Sequence, residues 1–293
     1  MLRNRWWLLA GSLTLGAGVV FGVMSGPGHQ GAQRARLSSQ AVTALVPATA
    51  APAGTATQAG AYGWGQGGYM MMPGPAASGA APAGIANATA TTSMNWSGYA
   101  ATGGRFTSVS SAWTQPTVTC TAQNTFSSFW VGLDGDGTQS VEQTGTEADC
   151  ANGTAAYSGW FEMFPAAPVF YNNPVNAGDA MSASVTTTGN GTFTLTLTDQ
   201  TQGWNQVTTQ TSATAQLGSA EVIAEAPSGA TVEPLSNFGT VNFSAATVNG
   251  APIGNNADLS ELTMVSVGGV TEAAPSALTG GNAFAITWNS SGS

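Results

Sequence analysis

The chain of 293 residues carries 14 Asp or Glu against 5 Lys or Arg and 1 His, which gives a formal net charge of −9. All acidic residues lie at or after Asp134, and Arg105 is the only basic residue beyond residue 90. A domain in that region has no histidine for a Ser–His–Asp triad, a Cys–His dyad or a zinc site, and no lysine for a phosphate loop. The shortage of basic residues also argues against nucleic acid as a partner.

The same charge imbalance predicts adaptation to acid. Excess negative charges repel one another at neutral pH, and this repulsion raises the folded-state pKa values of carboxyl groups above their unfolded values. Such groups stabilise the fold below the unfolded pKa, and the stabilisation is lost as the pH rises through the folded pKa. A generic acidic secreted domain is the alternative interpretation.

The N-terminus has the pattern of a secretory signal. Arg3 and Arg5 precede an apolar run from Trp6 to about Met24, which is the order of a basic region and an apolar region in signal peptides. We predict a signal peptide over residues 1–25 and a secreted, extracellular protein. An uncleaved membrane anchor is the alternative.

Residues 26–90 are predicted to be a disordered linker or pro-segment. They are rich in Ala, Pro, Gly, Ser and Thr and almost free of charge. Such a composition cannot bury enough apolar surface to offset the entropy of ordering the chain.

Residues 91–293 are predicted to form one all-β domain, an antiparallel two-sheet β-sandwich of the concanavalin-like type. Turn residues punctuate runs rich in Thr, Val and aromatic residues, and residues 192–198 alternate between threonine and apolar side chains. No segment has the period of an amphipathic helix. The predicted strands cover residues 106–113, 126–133, 157–164, 180–187, 192–198, 204–210, 220–225, 240–248, 259–267 and 283–288.

The two cysteines, Cys120 and Cys150, indicate a disulfide, because an even pair in a secreted chain is normally oxidised. Closing a loop of this length is worth roughly 3–4 kcal/mol in a chain-entropy treatment. Two free thiols are the alternative.

Strand alternation gives residues 220–225 two distinct faces. Glu221 and Glu225 share one face, and Val222 lies on the other. The Val222 face suits the core, so we expect Glu225 on the outer face of its sheet.

The segment around Gln143 follows the same logic, because Gln143 and Gly145 share a strand face. If Gln143 and Glu225 lie on neighbouring strands of one sheet, an amide and a carboxylate converge on one groove. Trp130 and Trp160 are candidates for its floor. A solvated glutamate and an ordinary polar glutamine are the alternative interpretation.

Residues 134–137 (Asp-Gly-Asp-Gly) resemble part of a calcium loop. The spacing and the distal glutamate of an EF-hand are missing, and a turn rich in Asp and Gly is the preferred interpretation. No metal site is expected.

Five sequence blocks occur in one order along the predicted domain: residues 95–98 (Asn-Trp-Ser-Gly), 130–135 (Trp-Val-Gly-Leu-Asp-Gly), 143–145 (Gln-Thr-Gly), 160–165 (Trp-Phe-Glu-Met-Phe-Pro) and 220–225 (Ala-Glu-Val-Ile-Ala-Glu). Together they resemble the glutamic peptidases, or eqolisins, of peptidase family G1. The resemblance extends from about residue 91 to the C-terminus. The long Ala/Pro/Gly-rich lead and the single cysteine pair resemble bacterial rather than fungal members.

The resemblance implies a secreted, acid-active endopeptidase made with a pro-segment and acting on proteins or peptides. It also implies a catalytic Gln–Glu dyad, which falls on Gln143 and Glu225. No cofactor and no stable membrane partner after signal removal are expected, and the chain is expected to be a monomer. The residues expected to bind substrate or to support the dyad are Trp96, Gly98, Trp130, Asp134, Glu162 and Glu221.

The sequence departs from the fungal members at a few positions. Ser158 replaces an aspartate often found before the Trp-aromatic-Glu block, and Glu147 replaces an aspartate after Gln-Thr-Gly. Ala226 and Pro227 follow the dyad glutamate, where acidic and aromatic residues are usual. These departures leave the dyad intact.

The residue inventory sets the expected chemistry. With no histidine or metal, water is the nucleophile, and ionised Glu225 takes its proton and later delivers it to the leaving amine. The Gln143 amide donates to the developing oxyanion. An unperturbed glutamate, with a pKa of about 4.3, suits a base working at about pH 2–5.

Two carbohydrate-directed alternatives use the same fold. A concanavalin-like glycoside hydrolase would pair Glu225 with Glu162 or Glu221 on a sheet lined with tryptophan. A non-catalytic carbohydrate-binding sandwich would stack sugars on the tryptophans. Gln143 is needed by the peptidase and not by the glycosidase.

Overall fold

The structure is a computed structural model that describes residues 76–77, 88–229 and 231–292. The predicted signal peptide, the alternative membrane anchor and most of the predicted pro-segment lie outside the described residues. Within the described residues, no helix is both long and apolar enough to cross a membrane.

The described residues form β-strands, with one 3-10 turn at Ile253–Asn255. In chain order the strands are β1 (Ala76–Ala77), β2 (Ala88–Ser93), β3 (Trp96–Thr102), β4 (Ser108–Thr114), β5 (Ser128–Leu133), β6 (Val141–Ala151), β7 (Thr154–Phe164), β8 (Val169–Phe170), β9 (Ala180–Thr187), β10 (Thr192–Asp199), β11 (Trp204–Thr211), β12 (Ala220–Glu225), β13 (Thr240–Val248), β14 (Ala251–Pro252), β15 (Asp258–Val265), β16 (Thr271–Pro275) and β17 (Phe284–Trp288).

The strands form two layers. The front layer has the order β1-β2-β15-β3-β12-β5-β6-β7-β8. The back layer has the order β11-β10-β9-β4-β13-β17-β16, with β14 beside β13. The predicted antiparallel sandwich is confirmed, with two additions. Strand β2 runs parallel to β15, and pairing between β15 and β16 continues the hydrogen bonding from one layer to the other.

The core lies between the two layers. Val131 and Val222 face inward from the front layer, and Leu195, Val185 and Phe243 face inward from the back layer. In β10 the apolar side chains are buried and the threonines between them are partly exposed, as the sequence alternation predicts.

A second apolar cluster covers the outer face of the front layer. Its members are Trp96, Ala100, Trp130, Val141, Trp160, Ile223 and Leu262. Strand β12 is therefore buried on both faces, which explains the apolar residues along it, and Glu221 and Glu225 are buried with them. The candidate dyad lies on this outer face.

Most of the predicted strands are present with ends shifted by a few residues. Strands β2, β3, β6 and β16 lie outside the set of predicted runs, although the alternation around Gln143 indicates a strand face there. Strand β2 begins at Ala88, three residues before the predicted start of the domain.

The predicted disulfide between Cys120 and Cys150 is present, with the two Cα atoms 5.4 Å apart. It ties the segment before β5 to the end of β6, where Thr125 also forms a bridge with Cys150. The strand that carries Gln143 is thus anchored at its far end.

Candidate active site

Glu225 and Gln143 lie on the same outer face of the front layer. Glu225 ends β12 and Gln143 lies in β6, so β5 separates their strands and they are not immediate neighbours. Gln143 pairs with Gly132 of β5, and Ile223 of β12 pairs with Trp130. Because paired residues point to the same side of a sheet, the side chains of Glu225, Gln143 and Trp130 share this face.

The carboxyl group of Glu225 is fully buried and accepts two hydrogen bonds. Trp130 Nε1 donates to Oε2 at 2.9 Å, and Asn95 Nδ2 donates to Oε1 at 3.1 Å. An ionised carboxylate only accepts hydrogen bonds, so this surrounding suits the charged form. The predicted face is observed, but Glu225 does not stand in solvent.

The surroundings of Glu225 act on its acidity in two directions. Burial raises the pKa of Glu225 well above its ordinary value, and the nearby charge of Glu162 raises it further. The indoles of Trp96 and Trp130 and the amide of Asn95 act as hydrogen-bond donors and lower it. The net direction is upward, so the sequence-based expectation of an unperturbed glutamate is wrong.

Gln143 is held by Glu162. Gln143 Nε2 donates to Glu162 Oε2 at 2.7 Å, and the two residues are directly opposite on β6 and β7. This hydrogen bond determines which end of the amide faces which way. Since Glu162 also acts on the charge of Glu225, the three side chains form one buried cluster.

Three buried tryptophans, Trp96, Trp130 and Trp160, surround this cluster. The rings of Trp96 and Trp130 meet edge to face, with centroids 5.1 Å apart and planes at 75°. This places the candidate dyad in apolar surroundings, where electrostatic interactions are stronger than in water.

Two glycines allow the close packing. Gly98 has a φ of 143°, and a Cβ there would collide with the backbone oxygen of Val222 in the adjacent strand. A Cβ at Gly145 would overlap Phe129 and the Cβ of Trp130. Gly98 thus acts through the backbone of the sheet, and Gly145 leaves room for the tryptophan beside Glu225.

The comparison with known proteins agrees with this geometry. Residues 94–288, two-thirds of the chain, match the Peptidase A4 family.

The chain belongs to the Peptidase A4 family.

Relatives of this glutamic peptidase share its sequence and fold. This chain is 26% identical over 190 residues to aspergillopepsin-2 of Aspergillus niger, and the match covers 55% of this chain and 67% of that protein. Scytalido-glutamic peptidase with a peptide-based transition-state analogue has a similar fold, at a TM-score of 0.58 and 22% identity over 67% of this chain and 98% of that chain. SCP-B, an eqolisin in complex with the tripeptide Ala-Ile-His, gives a TM-score of 0.55 and 20% identity over the same shares. The resemblance to glutamic peptidases is confirmed.

Two positions where this peptidase departs from the fungal pattern are neighbours in the structure. Glu147 of β6 lies directly opposite Ser158 of β7. Burial, and then repulsion from Asp149, raise the pKa of Glu147, and the Ser158 hydroxyl lowers it. The serine thus supplies a hydrogen-bonding group beside the glutamate that replaces the usual aspartate.

Asp134 joins two loops next to the site. Its carboxylate accepts hydrogen bonds from the backbone N–H groups of Gln216 at 2.8 Å, Leu217 at 2.9 Å and Gly218 at 2.7 Å. Asp134 has a positive φ of 65°, and the following Gly135 packs near Trp96 and Val141. The loop that starts at Asp134 is thus tied to the segment leading into β12.

Glu221 shares the outer face with Glu225 but lies four residues earlier in β12, close to the Asp134 loop. Burial raises the pKa of Glu221, and repulsion from Asp136 and Asp134 adds to the effect, while the Ser219 hydroxyl lowers it. Glu221 pairs with Gly132 of β5, which in turn pairs with Gln143 of β6, so Glu221 and Gln143 lie in one row across the three strands.

Sequence reasoning missed the contact between Asn95 and Glu225, although Asn95 stands in the first of the five blocks. It also missed the buried carboxyl groups of Glu142 and Asp149. Burial raises the pKa of each of these groups to about 8. Within the described residues, no three His, Cys, Asp or Glu side chains are arranged to hold a metal ion.

Proposed function

We propose that this peptidase is a secreted, acid-active endopeptidase in which Glu225 and Gln143 hydrolyse peptide bonds with water as the nucleophile. The observation that carries the proposal is the cluster itself. A carboxylate held by two donors and an amide held by Glu162 share one buried face among three tryptophans.

In the proposed reaction, ionised Glu225 removes a proton from water as the oxygen attacks the scissile carbonyl carbon. The carbonyl oxygen becomes an oxyanion, and the Gln143 amide donates a hydrogen bond to it. Protonated Glu225 then delivers its proton to the amide nitrogen, the C–N bond breaks, and the carboxylate is restored. A preorganised donor of this kind contributes about 3–4 kcal/mol to the stability of the transition state.

The raised pKa of Glu225 determines the acidic side of the pH profile. As a base, Glu225 must be ionised, so kcat/KM should rise as the pH passes its pKa. At higher pH other buried carboxyl groups ionise and destabilise the fold, which limits activity on the alkaline side.

Proteins and peptides are the proposed substrates. The scytalido-glutamic peptidase was solved with a peptide-based analogue and SCP-B with a tripeptide, and the family match favours a peptidase over both carbohydrate-directed alternatives. The proposal keeps the sequence-based organisation: a signal peptide over residues 1–25, a pro-segment over 26–90 and a monomeric peptidase domain after it.

The substitution Glu225→Gln tests the proposed base, because an amide of the same shape cannot accept the proton of water. We expect less than a tenth of wild-type kcat/KM on denatured casein and on a quenched peptide, at every pH from 3 to 7. Glu272→Gln is the matched control, since Glu272 is also a buried glutamate but lies in β16, away from the outer face of the front layer. Retention of more than a tenth of the activity by folded Glu225→Gln would show that Glu225 is not the base.

A further inference from the structure

We infer that Asn95 is a positioning residue that holds Glu225 in its ionised form and in its catalytic orientation, and that Ser93 orients Asn95. The inference rests on the proposed function, because it assigns Glu225 the role of base. It concerns residues outside the dyad and outside the set predicted from the sequence to support it.

The first observation is the set of donors on Glu225. Asn95 Nδ2 donates to Oε1 and Trp130 Nε1 to Oε2, so each carboxylate oxygen receives one of these hydrogen bonds. A carboxylate has about four lone-pair positions, so these two bonds leave capacity for a water molecule. Both donors favour the charged form that a base requires.

The second observation explains why the amide of Asn95 points its nitrogen at Glu225. Ser93 Oγ donates to Asn95 Oδ1 at 3.2 Å, which fixes the oxygen end of the amide on the side of Ser93. The same Oγ accepts from the backbone N–H groups of Asn95 at 3.4 Å and Trp96 at 3.1 Å. The hydroxyl of Ser93 is thereby held in place and the amide nitrogen is directed to the carboxylate.

The third observation is the location of the turn. Ser93 ends β2 and Trp96 begins β3, and these strands lie on opposite sides of β15. Ala226, the residue after Glu225, donates its backbone N–H to the carbonyl of Asn95 at 2.9 Å. Asn95 is therefore attached to the end of β12 by its backbone as well as by its side chain.

This arrangement makes the turn between β2 and β3 part of the catalytic centre. The turn comes directly after the predicted pro-segment, so a processed and active chain must retain residues from Ser93 onward. Without the turn, Glu225 would lose the hydrogen bond from Asn95 and keep the one from Trp130.

The test is the pH profile of kcat/KM for Asn95→Ala. Removal of a donor to an ionised group raises the pKa of that group. The acidic limb of the profile, where kcat/KM rises as Glu225 ionises, should therefore move to higher pH by about one unit. Activity below the limb should fall about tenfold, and activity on the plateau should fall less. KM should change little, because Asn95 does not contact substrate in this assignment.

Ser93→Ala keeps the Asn95 side chain but removes the hydroxyl that orients it, together with the acceptor of the Asn95 and Trp96 backbone N–H groups. It should move the limb in the same direction by a smaller amount. It also tests the inference if Asn95→Ala does not fold. Asn256→Ala is the control: it removes an amide that donates to the Ile253 carbonyl at 2.7 Å, outside the catalytic face, and should leave the limb in place.

Failure of the role of Asn95 and failure of the role of Glu225 give different experimental results. An acidic limb at the wild-type position in folded Asn95→Ala or Ser93→Ala, together with an inactive Glu225→Gln, would overturn the inference and leave the proposed function standing. Activity in Glu225→Gln would overturn both.

Discussion

Glu162 sets the orientation of the Gln143 amide, and this orientation determines which hydrogen bonds Gln143 can donate during the reaction. The nitrogen end donates to Glu162 Oε2, and an amide nitrogen carries two hydrogens. In the proposed mechanism the second hydrogen meets the oxyanion, which exists only after water has attacked. Gln143 should therefore stabilise the transition state more than the bound substrate.

Gln143→Ala is expected to lower kcat by about 10²–10³-fold with little change in KM, because it removes a donor used in the transition state. Steady-state kinetics on a peptide substrate measure both constants. Gln206→Ala is a suitable control, since that amide lies in β11 of the back layer and donates to Asn173 in the loop between β8 and β9. A rise in KM at constant kcat would make Gln143 a substrate-binding residue instead.

The individual site residues differ in how far the sequence could predict them. Alternation within a strand was enough to place Glu225 and Gln143 on their faces, because that information is local. The donors to Glu225 were out of reach, since Asn95 is 130 residues away from it and Trp130 is 95 residues away. Such contacts depend on the order of strands in the sheet, which one sequence does not specify.

The Asp134 loop shows how one side chain can organise an element. Three backbone N–H groups from consecutive residues converge on its carboxylate. Backbone donors in a partly buried loop need acceptors, and hydrogen bonds to a charged group are worth about 1.5–3 kcal/mol each when partners are removed singly. The carboxylate thus fixes the approach of the chain to β12.

Asp134→Ala is expected to destabilise the domain by about 3 kcal/mol, which for a domain of this size corresponds to a fall in Tm of roughly 6–12 °C. Thermal unfolding followed by circular dichroism measures it. Asp258→Ala, at an exposed aspartate that begins β15, controls for the loss of a carboxylate. Equal Tm values for the two variants would contradict the role of Asp134.

Strands also differ in how visible they are in the sequence. Strand β10 alternates because one face is in the core and the other is partly exposed. Strand β6 is buried along its whole length and carries Glu142, Glu147 and Asp149 inside the protein. Burial of both faces removes the polar–apolar alternation, so β6 is absent from the runs that predict strands by their alternation.

The raised pKa values of the carboxyl groups have a different physical cause from the one predicted from the sequence. The sequence predicts that mutual repulsion of the excess negative charges raises carboxyl pKa values. In the structure the largest cause is burial, which raises the pKa of Glu142 and Asp149 to about 8 and of Glu272 to about 7. The direction of the expectation holds, but the responsible groups lie inside the protein.

Stability should therefore fall as the pH rises. A carboxyl group whose folded pKa is about 8 and whose unfolded pKa is about 4 binds more protons in the folded state between these values. Its contribution is complete below about pH 4, is lost through the window up to about pH 8, and is constant above it. Each such group removes up to about 1.4 kcal/mol per pH unit within its window.

Urea unfolding from pH 3 to 9 tests this at the scale of the whole molecule, in the Glu225→Gln background so that self-digestion does not interfere. Asp149→Asn keeps an oxygen for the Ser127 backbone N–H, which Asp149 Oδ1 accepts at 3.1 Å, but removes the group that must ionise. We expect it to flatten the decline between pH 4 and 8 and to raise the free energy of unfolding at pH 7, whereas Asp258→Asn at the surface should leave the slope unchanged. A free energy of unfolding that is flat or rising over that range in the Glu225→Gln protein would mean that these carboxyl groups ionise in the fold without cost, and the limit on activity at neutral pH would need another cause.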